Sequence, residues 1–121
     1  DQLRWEFECP EDFVIHTDSN YLWIVLQNLS SNASKALKNQ NDGKIAWKAW
    51  SIGSQKYLSI ADNGPGFPAN ILNASNEAQN EIFLSGFGLQ VVHDFAQKLG
   101  IGLQFENATE GGARVILKMQ S

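Results

Sequence analysis

Cysteine is nearly missing from this chain of 121 residues, and the single one, Cys9, can form neither an internal disulfide nor a cysteine-built metal site. Such usage fits a reducing compartment, so the expected location is cytoplasmic. Lysine and arginine are also scarce, 9 against 13 acids, and nowhere form a run. With a net charge of −4 the chain offers no basic stripe to a phosphate backbone, which argues against a nucleic-acid partner. No stretch approaches the roughly 18 consecutive apolar residues of a membrane span, and no signal peptide is visible. Contact of this domain with a membrane is therefore not expected, although a longer parent protein could be anchored elsewhere. The chain opens on Asp1 without a methionine, so it reads as a piece of something longer. Its length supports one buried core but not two, and neither an internal repeat nor a linker divides it. Residues 1–121 are thus expected to form one domain.

What is present is ordered by hydrophobic period. Leu3 to Phe7 alternates and predicts an edge strand ended by Pro10, and Phe13 to Ile15 predicts a second short extended piece. Asp18, Ser19 and Asn20 are good helix caps. Leu22, Leu26, Leu29, Ala33 and Ala36 then recur at helical spacing, which predicts an amphipathic helix to about Leu37. Asp42-Gly43 signals a turn. Lys44 to Trp50 and Lys56 to Ala61 alternate as hairpin partners around a turn at Ser51 to Gln55. A second helix carries Leu89, Val92, Ala96 and Leu99 on its core stripe, with Gly100 placed to close it. Leu103 to Glu106 and Ala113 to Met119 predict two closing strands. This order predicts an α+β fold, with helices layered on one face of a mixed, mainly antiparallel sheet. The four tryptophans, Trp5, Trp23, Trp47 and Trp50, are expected in the core or on the sheet face.

Three segments carry chemistry. Asp62-Asn63-Gly64-Pro65-Gly66-Phe67 follows an apolar strand, so Asp62 stands at a strand end where a carboxylate can point into a cleft. Gly64 and Gly66 bracket Pro65 and let the backbone take positive φ close to a flat ligand. A carboxylate beside bare backbone suits an exocyclic amine such as that of adenine. On the first helix, Asn28, Asn32 and Lys35 form a polar stripe beside the apolar one, at the boundary of core and cleft. An asparagine carbonyl is a hard oxygen donor for one position in a Mg²⁺ shell, and a lysine a turn further on meets phosphate as a point charge. Ser85-Gly86-Phe87-Gly88-Leu89 opens the second helix with free N–H groups, an anion site. Position 91 is Val, so the full Gly-x-Gly-x-x-Gly of a dinucleotide fold is absent.

Together these segments resemble the ATP-binding domain of the gyrase, heat-shock chaperone, histidine kinase and mismatch-repair superfamily, and within it the catalytic domain of sensor histidine kinases. Leu26 to Ala36 is similar to the family's asparagine box, Asp62 to Phe67 to its first glycine box, and Gly86 to Leu89 to its second. The likeness covers nearly the whole chain. It implies a two-layer α/β sandwich that takes ATP between the helices and a lid over Phe67 to Ser85. It also implies roles. Asn32 would be the main Mg²⁺ ligand with Asn28 assisting, and Lys35 would contact phosphate, these three forming the catalytic set. Asp62 would accept the adenine amine, with Gly64 and Gly66 shaping the base pocket. Gly86 and Gly88 would present amides to the phosphates. Ala36, Phe67, Ser85, Phe87 and Leu89 complete the implied nucleotide contacts.

Relatives that hydrolyse ATP place a glutamate base at the position of Asn28. An amide there implies slow hydrolysis and a γ-phosphate kept for an external nucleophile. In histidine kinases that nucleophile is a histidine on a separate helical dimerisation domain, and a response regulator receiver domain follows. Neither His16, in an extended segment, nor His93, within the second helix, resembles such an acceptor. The resemblance thus implies a domain that does not phosphorylate itself. Two departures stand out, Leu84 where a further glycine is common and Ala113 where a threonine is usual. Rival readings are a serine protein kinase of the anti-sigma-factor type, which usually carries an acid at the Asn28 position, and a non-catalytic nucleotide-binding regulatory module.

Overall fold

The computed structural model describes residues 3–69, 72 and 89–120. Its elements are β1 (Arg4–Glu8), α1 (Ser19–Ala36), β2 (Lys44–Ile52), β3 (Gln55–Asp62), α2 (Leu89–Leu99), β4 (Gly102–Asn107) and β5 (Ala113–Gln120). The strands make one sheet in the order β1-β2-β3-β5-β4. β1 runs parallel to β2, and every other pairing is antiparallel. The expected α+β architecture, a mixed and mainly antiparallel sheet, is what forms.

Register explains where the core sits. Phe7, Trp47, Ile60, Val115 and Phe105 stand opposite one another in a row across all five strands. Ala49, Leu58, Leu117 and Leu103 make the next row on the same face. Both helices bury their apolar stripes on this face. α1 contributes Val25, Leu29 and Ala33, and α2 contributes Leu89, Val92 and Ala96. Stacking of Tyr21 on Phe95, with centroids 5.1 Å apart, joins the helices. The opposite face of the sheet faces solvent and carries a Trp50–Tyr57 stack at 5.2 Å, with Lys48 over the Trp50 ring.

Caps set the helix ends. The Oδ1 of Asp18 accepts from the backbone N–H of Asn20 at 3.0 Å and of Tyr21 at 3.1 Å, satisfying donors that the first turn leaves open. α2 closes with Ile101 N–H donating to the Ala96 carbonyl at 2.8 Å and Gly100 N–H to that of Gln97 at 3.2 Å. These are the crossed bonds of a Schellman end, which puts Gly100 at the left-handed position expected of it.

Four expectations need correction. Phe13 to Ile15 forms no strand, because it has no strand partner and is held instead by side chains. The Lys56 ammonium donates to the Val14 carbonyl and lies over the Phe13 ring. The hairpin between β2 and β3 is tighter than the polar residues suggested, since Ile52 pairs with Gln55 and only Gly53 and Ser54 make the turn. On α1 the buried line is Val25, Leu29 and Ala33, with Leu37 just beyond the helix, and Ala36 is exposed. Trp23 is 63% exposed on α1, neither in the core nor on the sheet, whereas Trp5, 42% exposed, stands on β1 within the sheet as expected. Both stand at the β1 edge, where the helix layer ends.

Candidate functional site

Strand alternation delivers the central acid. Asp62 ends β3 two residues after Ile60, so both side chains leave the sheet on the helix side. There Asp62 reaches a cavity of about 350 Å³ between the two layers. Its walls are apolar: Leu29 and Ala33 from α1, Ile60 and Val115 from the sheet, and Leu89 from α2. The polar groups are few and convergent, chiefly Asp62, Asn32 and Lys35, with Ala36, Gly66, Phe67 and Ala113 completing the rim. A largely apolar slot with one carboxylate fits a flat heterocycle that carries an amine, and the exposed ammonium of Lys35 marks an end that suits an anion.

Asp62 is held rather than free. Its Oδ1 accepts from Gly64 N–H at 2.8 Å and from Ala113 N–H at 3.4 Å, while Oδ2 accepts no hydrogen bond among the described residues. Burial pushes the carboxyl pKa up, and the two backbone N–H groups oppose that rise without cancelling it. Ala113 therefore serves Asp62 through its backbone N–H.

The turn after Asp62 is fastened on both sides. Asn63 Oδ1 accepts from Lys44 N–H and its Nδ2 donates to the Asp42 carbonyl, both at 2.8 Å. Gln40 Nε2 donates to the Asn63 carbonyl at 2.8 Å. Gly66 takes φ +88, as its place in the motif suggested. Gly64 does not take positive φ, a correction to the expectation. It must be small because a Cβ would lie 3.0 Å from Asp62 Oδ1 and 3.1 Å from Leu37 Cδ2. Gly112, at φ +104, is more constrained still, since a Cβ there would come 1.9 Å from the Asp62 carbonyl oxygen. The sequence marks Asn63 only as a member of its motif and singles out neither Asn107 nor Gly112. The only signal they gave was their type, asparagine and glycine at strand ends.

On α1, Asn32 and Lys35 reach the cavity together. The Nδ2 of Asn32 is buried with no partner among the described residues. That nitrogen is a donor and suits an acceptor such as a phosphate oxygen, whereas the Oδ1 of the same amide is the atom that could ligate a cation. Asn28, one turn earlier, is not brought to the cavity wall, and its Nδ2 donates to the Ile24 carbonyl at 2.7 Å. No group of three or more His, Cys, Asp or Glu side chains is placed to hold a metal among the described residues. The single amide oxygen of Asn32 could fill one position on a divalent cation whose other positions are taken by phosphate and water. Leu89 is nearly fully buried and forms apolar wall. Ser85, Gly86, Phe87 and Gly88, with Leu84 and most of the expected lid, lie outside the described residues.

Known proteins share this fold. The profile of the histidine kinase-, DNA gyrase B-, and HSP90-like ATPases matches residues 17–121. The sensor protein CitS of Bacillus subtilis (strain 168) is 27% identical over 100 residues, which cover 81% of this chain and 18% of that protein. The catalytic domain of histidine kinase ThkA in a nucleotide-free form superposes with a TM-score of 0.80 at 24% identity, over 98% of this chain and 78% of that one. The mycobacterial sensor histidine kinase MprB gives a TM-score of 0.75 at 22% identity, over 98% and 81%. The ATP-binding domain of PrrB from Mycobacterium tuberculosis gives 0.71 at 24%, over 96% and 79%. With the profile matched from just before α1 to the end of the chain, the protein belongs to the family of histidine kinase-, DNA gyrase B- and HSP90-like ATPases.

Proposed function

We propose that residues 1–121 are the ATP-binding catalytic domain of a sensor histidine kinase, which binds ATP with Mg²⁺ and gives the γ-phosphoryl group to a histidine on a separate dimerisation domain. The observation that carries this reading is the half-buried Asp62 carboxylate facing the apolar cavity between helix and sheet layers. Asp62 accepts the adenine amine, and Gly66 and Phe67 shape the side of the base pocket. Asn32 holds Mg²⁺, which when bound neutralises charge on the phosphates and orients them. Lys35 adds a second positive charge at the same end. Asn28 stays one turn away, tied to the helix, and puts no base near the phosphates. That favours transfer to an external nucleophile over hydrolysis.

The partners that follow are the dimerisation domain of the parent protein and a response regulator receiver domain. No helix among the described residues is long and apolar enough to cross a membrane, and we place this domain in the cytoplasm. Calorimetry with ADP and a non-hydrolysable ATP analogue, with and without Mg²⁺, tests the reading. Adenine-specific binding at micromolar to sub-millimolar concentration is expected. No binding at millimolar nucleotide would overturn it in favour of a regulatory module that works through contacts.

A further inference from the structure

The base end of the cavity is held by a residue that belongs to none of the three motifs. Asn107 ends β4, and asparagine is a poor strand residue with no apolar surface to offer the core. Its side-chain amide nevertheless makes a closed pair with one backbone unit 40 positions away. Phe67 N–H donates to Asn107 Oδ1 at 2.8 Å, and Asn107 Nδ2 donates to the Phe67 carbonyl at 2.9 Å. Both polar groups of Phe67 are thereby satisfied by a side chain, as a neighbouring strand would satisfy them.

The fit extends to the residues on either side. A Cβ at Gly66 would meet Asn107 Oδ1 at 3.0 Å, Cγ at 3.1 Å and Nδ2 at 3.2 Å, so the amide lies flat against the bare Cα. The Phe67 ring meets Phe105 edge-on, with centroids 5.5 Å apart, and Phe105 precedes Asn107 by two residues on the same strand. The end of β4 thus grips both the backbone and the ring of Phe67. Gly66 and Phe67 line the cavity, whereas Asn107 does not.

We propose that Asn107 is a positioning residue for the base pocket, setting the Gly66–Phe67 wall before any ligand enters. The proposal rests on the nucleotide reading above. A turn made of Gly, Pro and Gly would otherwise sample many conformations, and binding would have to order it at a cost in affinity. Because the clamp acts at the base end, its loss should weaken adenosine and ADP by the same factor. A defect at the phosphate end would spare adenosine.

The test uses the whole chain. Dissociation constants for adenosine and ADP are measured for the wild type and for Asn107→Ala, together with hydrogen exchange of the Phe67 amide by NMR. Both constants are expected to rise by about tenfold, and the Phe67 amide to lose protection. Should Asn107→Ala fail to fold, Asn107→Asp replaces it. That variant keeps the acceptor for Phe67 N–H but turns an acceptor towards the Phe67 carbonyl, so the same loss is expected. Unchanged affinities in a folded variant, beside normal wild-type binding, would overturn the proposal alone. A wild-type chain that bound neither adenosine nor ADP would bring down the nucleotide reading, and this proposal with it.

Discussion

At the scale of single residues, Asp62 sets function against stability. Burial raises its pKa in the folded state, so the folded chain holds that proton more tightly than the unfolded chain does. The contribution of Asp62 to stability is therefore fully present below the unfolded carboxylate pKa and is lost as pH rises through the higher folded value. Ligand affinity runs the other way, because only the ionised carboxylate accepts the amine strongly. Asp62→Asn keeps an acceptor oxygen for Gly64 and Ala113, so its fold should survive, with a melting temperature at neutral pH equal to or above that of the wild type. ADP binding should nearly vanish, and thermal melts beside calorimetry read both effects; unchanged affinity would sink the pocket assignment. Asn32→Ala should weaken ADP binding mainly when Mg²⁺ is present. Equal loss with and without the metal would make Asn32 structural. Asp62 and Asn32 were legible in the sequence because each carries its chemistry in its residue type and sits beside a local apolar pattern. Asn63, Asn107 and Gly112 were not, because each acts on backbone that only the folded sheet brings near.

Among the elements, the strand ends do most to fix the site, and the glycine opening β5 is the critical one. A methyl at Gly112 would overlap the Asp62 carbonyl and would also have to accept φ +104. Strain and overpacking together should cost about 3–5 kcal/mol, enough to unfold much of the population. Gly100, at the end of α2, is the control, since it has φ +72 but open space where a Cβ would go. Gly100→Ala should cost only about 1–2 kcal/mol, the price of left-handed backbone. Urea unfolding of the two variants measures the difference, and equal losses would mean that crowding over Asp62 is relieved by movement of β5. The helices were read closely from sequence because their signals are local: an Asp cap, a repeating apolar face, a closing glycine. The strand ends were read less well, since pairing extends β2, β3, β4 and β5 past their alternating cores. Phe13 to Ile15 failed for the same reason in reverse, an apolar run left without a partner strand.

For the molecule as a whole, the cavity is a seam between layers. α1, α2 and the sheet each supply part of its wall, so a ligand filling it touches all three. The layered architecture was legible from element order, but the parallel pairing of β1 with β2 was not, because nothing local in Arg4–Glu8 names its neighbour. The same edge leaves Phe7 72% exposed beside Trp23, well away from the seam. Ligand and fold should therefore be linked through the cavity and not through that edge. A ligand that binds only the folded chain, present at 100 times its dissociation constant, stabilises it by about 2.7 kcal/mol. For a domain of this size that amounts to a rise in melting temperature on the order of 10 °C. ADP with Mg²⁺ should produce such a rise in the wild type, little or none in Asp62→Asn, and the full rise in Trp23→Ser, whose side chain stands outside the seam. A full rise in Asp62→Asn would show that ADP stabilises the chain from some other site. Loss of the rise in Trp23→Ser would mean that the β1 edge and the cavity move as one unit, contrary to the separation that the two surfaces display.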